Sequence, residues 1–218
     1  MKPLDKIQSI AAYLDEDAVD TDIIFPARFL LLMDKKGLGG HAFHERRRVK
    51  KGETPFILDR PPFDTAEILV AGKDFGTGSS REQAVWALAD LGLRCIIAET
   101  FGEIFYANCF KNGVLPIRLD ADTLARVRQA AGREEEIVVD LPSQTIVLTG
   151  DETISYDVDA YRKEALLLGL DEIAVILRDS GKDIKAFEEG QSRRAPWLRL
   201  GPDKWKVFDD LEKEQFIE

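Results

Sequence analysis

The stretch that most narrows the possible folds is a short apolar run at 67–71, Glu-Ile-Leu-Val-Ala, closed by Gly72 and followed by Lys73-Asp74-Phe75-Gly76-Thr77-Gly78-Ser79-Ser80-Arg81-Glu82-Gln83-Ala84. A run of that length ending at glycine reads as a buried strand. Ala84, Trp86, Ala87, Leu88 and Leu91 then recur at helical spacing up to Gly92. Strand, glycine-rich turn and helix therefore follow in order, with Ser79 or Ser80 expected to cap the helix. The alternation continues with a strand over 93–98, a helix over 103–110, a strand over 114–119 and a helix over 122–131. Short β-type segments at 137–139, 145–148 and 154–156 suggest an antiparallel addition. Together these predict an α/β layer structure with a mixed sheet. Helical patterns over 160–168 and 170–178 close it, so the expected division is a domain over 1–178 and a partly helical or flexible extension over 179–218. The tail after Glu188 contains Pro196 and Pro202 and is assigned no single structure.

Upstream, 7–14 is apolar, and an acidic turn separates it from Val19-Asp20-Thr21-Asp22-Ile23-Ile24-Phe25-Pro26, where the proline favours extended backbone at Phe25. The charged and glycine-rich segment 34–40 reads as a mobile loop.

The turn itself carries chemistry. Gly76 and Gly78 allow positive φ and close approach of a ligand to the backbone, while the amides of a helix start and the Arg81 guanidinium favour an anion. Arginine grips carboxylates bidentately, and a serine hydroxyl among such neighbours is better placed than usual to act as a base. Three familiar loops do not fit. A Walker A loop needs lysine before the serine, where Gly78 stands; a nucleophile elbow needs a glycine two residues after its serine; a dinucleotide fingerprint needs a third glycine where Arg81 stands. A plain connecting turn is the structural alternative.

Composition excludes other classes. Hydrophobic residues at 44% and charged residues at 32% describe a folded chain rather than a disordered one. A net charge of −10 argues against nucleic acid as a partner. There is no signal-type or membrane-spanning apolar run, and the two cysteines, Cys95 and Cys109, lie in apolar company and are expected in the core. A cytoplasmic protein is expected, and with His41, His44 and two cysteines so spaced, no metal or iron-sulfur site is expected within the chain.

Four ordered motifs then carry a family resemblance. Gly78-Ser79-Ser80-Arg81-Glu82 after a strand resembles the swivel-domain signature of the aconitase superfamily. Val19 to Ile24 with Pro26 and Phe29-Leu30 resembles the opening of isopropylmalate dehydratase small subunits. Phe101-Gly102-Glu103-Ile104-Phe105-Tyr106-Ala107-Asn108-Cys109 with Gly113-Val114-Leu115-Pro116, and Leu168-Gly169-Leu170-Asp171-Glu172-Ile173-Ala174, match its bacterial form. The resemblance implies the aconitase-type swivelling β/β/α fold and a dehydratase that interconverts 2- and 3-isopropylmalate in leucine biosynthesis. In it Ser79 is the proton-abstracting base and Arg81 binds substrate carboxylate, with Ser80 and Gly78 beside it and Asp22 orienting or relaying a proton. Asp20 and Thr21 are read as stabilising their turn. The resemblance further implies a [4Fe-4S] cluster on a separate large subunit, with the active site formed between the two chains.

Substrate choice is read from 31–33. Family members that handle an extra carboxylate tend to place arginine just after the residues matching Phe29-Leu30, whereas here Leu31, Leu32 and Met33 follow. An apolar isopropyl group is favoured beside Leu31 and Leu32, because an unpaired carboxylate would lose hydration there. Core packing of 30–32 is the alternative. Gln83 stands where the family commonly has histidine, which removes a titratable group. Methylmalate or dimethylmalate dehydratases and a non-catalytic binding module of the same fold are the competing readings. Lys35 and Lys36 are read as solvated or as closing on a carboxylate, His41 and His44 as surface or packing residues, and Arg46-Arg47-Arg48 with Lys50-Lys51 as a solvated face or a contact for the large subunit.

Overall fold

A computed structural model describes residues 1–48, 52–78, 80–198 and 201. The chain divides into two units, Met1–Glu172 and Ile173–Glu218. In the first, strands β1 (Lys6–Tyr13), β2 (Ile68–Val70), β3 (Cys95–Ala98), β4 (Leu115–Arg118), β5 (Glu136–Asp140), β6 (Thr145–Val147) and β7 (Thr153–Ser155) form one sheet in the order β4-β3-β2-β1-β5-β6-β7. The β1–β4 pairs are parallel, and β5, β6 and β7 add on antiparallel beyond β1. The sheet is mixed as expected, and the apolar stretch at 7–14 is its central strand.

The helices are α1 (Thr21–Ile24), α2 (His44–Arg47), α3 (Glu82–Asp90), α4 (Glu103–Lys111), α5 (Ala121–Gly132), α6 (Ala160–Leu168) and α7 (Glu172–Arg194). Every residue of β2 and β3 is buried, because helices cover both faces of the parallel half. Alternation along the strands sorts the core in two. Ala12, Leu69 and Ile96 face α3 and α4, where Val85, Leu88 and Phe105 pack. Ala11, Ile68, Val70 and Cys95 face the other way, against Leu124 and Val127 of α5 and Ile137 and Val139 of β5. Full burial of each Val, Leu, Ile or Phe side chain among them is worth roughly 1.5–3 kcal/mol.

Helix starts follow local chemistry. Asp20, Asp120 and Asp159 each accept a hydrogen bond from the backbone N–H three residues on, at 2.8, 2.9 and 3.1 Å, capping α1, α5 and α6. Asp20 thus stabilises its turn, as the sequence suggests. Phe25 is extended, with φ −144° and ψ 96°.

One expectation is corrected. The glycine-rich half of 34–40 is packed: Leu38–His41 is a 3-10 turn with Leu38 and Gly39 buried, and the Gly39 amide donates to Asp90 Oδ2 at 2.8 Å. A β-carbon on Gly39 would sit 2.9 Å from the Leu91 nitrogen, so the close approach to the end of α3 requires glycine. The helical C-terminal extension is present as expected: α7 runs to Arg194 before a short 3-10 turn at Pro196–Leu198. Residues 199–200 and 202–218 lie outside the described residues, as does Ser79.

Candidate active site

Three loops leave the C-terminal ends of β1, β2 and β3 side by side, and the β2 loop is bonded on both flanks. Towards the β1 loop, Asp17 Oδ1 accepts from the Lys73 amide at 2.6 Å, Ala18 N donates to Lys73 O at 2.8 Å, Gly76 N donates to Val19 O at 2.7 Å, and Thr21 N donates to Thr77 O at 2.9 Å. Towards the β3 loop, Phe75 N donates to Thr100 O at 3.0 Å and Gly102 N to Phe75 O at 2.9 Å. The Asp74 amide also donates to Thr100 Oγ1 at 2.7 Å. These bonds satisfy backbone groups that a glycine-rich turn would otherwise leave to water, and they fix its path.

Two glycines are required by that path. Gly76 has φ +71°, and a β-carbon there would overlap the Phe105 ring; one on Gly102 would collide with the Gly76 carbonyl. Gly78, at φ +97°, is exposed, and so is Ser80. The corner therefore opens to solvent immediately before α3.

The N-cap position of α3 is occupied by neither Ser79 nor Ser80. Arg81, with extended backbone, is the residue preceding α3, and the helix begins at Glu82 without a side-chain cap. The cause is the zipper just described, which holds 75–77 against both neighbouring loops and delays the helical turn. Arg81 instead forms an ion pair with Asp22, the second residue of α1. Asp22 Oδ1 also accepts from the Ala27 amide at 3.1 Å. The Arg81 hydrogen bond, and then that amide, hold the Asp22 carboxyl below its ordinary range. Thr21 is buried beneath this pair.

Leu31, Leu32 and Met33 do not belong to the core: they are exposed to 90%, 40% and 72%. They follow a 3-10 turn at Ala27–Phe29, where the Phe29 ring lies 4.3 Å from that of His41 and 4.9 Å from that of His44. Both histidines thus serve aromatic packing, and burial lowers the pKa of His44. Arg46 and Arg47 are ion-paired with Glu16 and Asp59 rather than merely solvated. Lys50 and Lys51 lie outside the described residues.

Gln83 is half-buried on the first turn of α3. Cys95 and Cys109 are fully buried in the two different cores, and burial pushes both thiols well up. Among the described residues no three His, Cys, Asp or Glu side chains are grouped to hold a metal, and no helix is long and apolar enough to cross a membrane.

Sequence reasoning misses one polar cluster beside the site. Glu82 Oε1 accepts from Asn112 Nδ2 at 2.8 Å and from Trp86 Nε1 at 3.2 Å, and Lys35 reaches Asn112 as well. The Glu82–Trp86 helical spacing is its sole sequence signal. Asn112 and Lys35 arrive from distant segments.

Residues 1–122 match the aconitase C-terminal domain family. The chain is similar to the 3-isopropylmalate dehydratase small subunit of Jannaschia sp., 47% identical over 196 residues, covering 88% of this chain and 97% of that protein. It is likewise similar to that of Pelagibacter ubique, 42% identical over 200 residues, 91% of this chain and 98% of that one. Among solved structures it resembles a 3-isopropylmalate dehydratase from Methanocaldococcus jannaschii, with 27% identity and a TM-score of 0.60 over 83% of this chain and 99% of that one.

Proposed function

Because this chain belongs to the family of 3-isopropylmalate dehydratase small subunits, we propose that the corner over residues 76–81 is its share of an active site completed by a large subunit. The chain is a hydro-lyase subunit of the aconitase type that interconverts 2-isopropylmalate and 3-isopropylmalate in leucine biosynthesis. The observation that carries the site assignment is the Asp22–Arg81 pair beside an open, glycine-lined turn.

Arg81 binds a substrate carboxylate. Its side chain is mostly buried, with 18% exposure, so its charge is poorly screened, while the pair with Asp22 uses only part of its five-donor fork. Asp22 orients that fork. Gly78 lets the substrate approach the backbone, and the Ser80 hydroxyl and the first amides of α3 add donors to the same anion. Ser79 lies between these groups in the chain, and we assign it the proton chemistry. Its Oγ takes the proton from carbon as the C–H electron pair becomes the double bond of the unsaturated intermediate, and returns it at rehydration. Arg81 and the helix-start amides favour negative charge at this end of α3, which suits a serine acting as a base. Leu31 and Leu32 provide apolar surface for the isopropyl group.

The donor set of this chain does not fit a [4Fe-4S] cluster, since its two thiols are buried in separate cores. The cluster is assigned to the large subunit, where it would supply a Lewis acid for the leaving hydroxyl. Free, buried thiols suit a reducing compartment, which supports our assignment of the complex to the cytoplasm.

The test is reconstitution with a large subunit and parallel assays of isopropylmaleate, citraconate and dimethylmaleate hydration. Isopropylmaleate should be fastest, and Ser79→Ala should lower kcat by about 10²-fold or more. Full turnover by Ser79→Ala would remove the base assignment, faster hydration of the smaller acids would make this a related hydro-lyase, and a stable complex inert to all three would mark a binding module.

A further inference from the structure

The apolar tip at 31–33 is held at both ends by the start of α3. At its front, Ala27 N donates to Asp22 Oδ1 at 3.1 Å, and the same oxygen pairs with Arg81. At its rear, Lys35 Nζ donates to Asn112 Oδ1 at 3.0 Å and lies 4.6 Å from the centre of the Trp86 ring. Asn112 Nδ2 donates to Glu82 Oε1, the oxygen that also accepts from Trp86 Nε1. Polarity runs consistently from cation through amide to carboxylate, and the carboxylate fixes which way the amide faces. Glu82 directly follows Arg81, so both anchors of the strap end on the turn that begins α3. Surface lysines ordinarily stay in water, because ordering their long side chains costs entropy; two convergent partners, one of them an aromatic face, offset that cost.

We infer that Lys35 is a positioning residue for substrate selectivity, pinning the Leu31–Leu32–Met33 tip in register with Arg81 through Trp86, Asn112 and Glu82. This rests on the proposed function of the site, but the pinning can be tested without turnover. Lys35 touches no substrate; it sets where the apolar wall stands. The isopropyl group, which fills that wall most, depends on the pin more than a methyl group does.

The experiment compares wild type, Lys35→Met, Lys35→Arg and Asn112→Ala. Methionine keeps the apolar stem and removes the donor and charge. In the full chain, hydrogen exchange over 31–37 should quicken about tenfold in Lys35→Met and Asn112→Ala, with β2 and β3 unchanged, and return toward wild type in Lys35→Arg. In the reconstituted complex, Lys35→Met should raise KM for isopropylmalate about five- to tenfold with kcat within about twofold, and raise it less for a methyl-substituted substrate. Unchanged exchange over 31–37 in Lys35→Met overturns the pin. Altered exchange with equal effects on both substrates, or a loss confined to kcat, overturns its role in selectivity. A wild-type complex that turns over none of these acids defeats the proposed function instead, and exchange still decides the pin.

Discussion

Asp22 and Arg81 form an ion pair across the gap between α1 and the start of α3, and the arginine is the more buried partner, at 18% against 57% exposure. The asymmetry suits a site in which the carboxylate orients the cation from outside. It also ties the β1 and β2 loops together at the point where the turn opens. That pairing is the feature on which the proposed anion site rests.

The first expectation concerns pH. Asp22 is held below its ordinary range when folded, so the pair's contribution is fully present above the unfolded value, near pH 4, and is lost as pH falls through the lower folded value. With one partner largely exposed, wild type should exceed Asp22→Asn in stability by only about 0.5–1 kcal/mol at pH 7. Urea melts from pH 7 down to pH 3 measure the difference. A gap that stays constant across that range contradicts the pairing.

A second concerns Gly76. Gly76→Ala must place a β-carbon into the Phe105 ring at φ +71°, and should cost more than about 2 kcal/mol by thermal or chemical denaturation. Gly40→Ala, where no atom lies within 4 Å of the new β-carbon, should change stability by less than about 0.5 kcal/mol. Equal costs at the two positions would mean that the tight packing under the turn is not real.

A third concerns the tip. Leu31 is 90% exposed, so Leu31→Arg should leave stability within about 0.5 kcal/mol of wild type. It should nevertheless reduce kcat/KM for isopropylmalate about tenfold and favour a substrate bearing a further carboxylate, since the isopropyl group loses its apolar neighbour. Kinetics on both substrate types decide this, and an unaltered preference removes Leu31 from the specificity surface.

A fourth concerns the thiols. Burial raises both cysteine pKa values, so an aromatic disulfide reagent at pH 8 should label neither in the native chain and both after denaturation. Cys95→Ala and Cys109→Ala complexes should keep the iron content of wild type. Loss of iron in either would place a ligand on this chain.

Much of this protein could be read from residue order. Short apolar runs and helical spacing located the elements from β2 to α6, because strands buried on both faces read as continuous apolar segments and each helix buries one face of its own sequence. Gly76 and Gly78 announced positive φ, and both adopt it. Arg81 rather than a serine precedes α3 because serine's local preference is outweighed by hydrogen bonds in which Val19 O and Thr100 O accept and Thr21 N donates, residues of two other loops. The packed turn at Leu38–His41 was hidden for a similar reason: Gly39 is required by the distant end of α3.

The sequence by itself determined which residue types stand at the turn, the alternation that builds a mixed sheet, and the absence of a third cysteine for a cluster. Only the tertiary structure decided that Asp22 faces Arg81, that Leu31 points into solvent, and that Lys35 reaches Trp86 and Asn112. Local preference acts over a few neighbouring residues, whereas these contacts form once the sheet has brought the β1, β2 and β3 loops to one edge and aligned α3 beside α4.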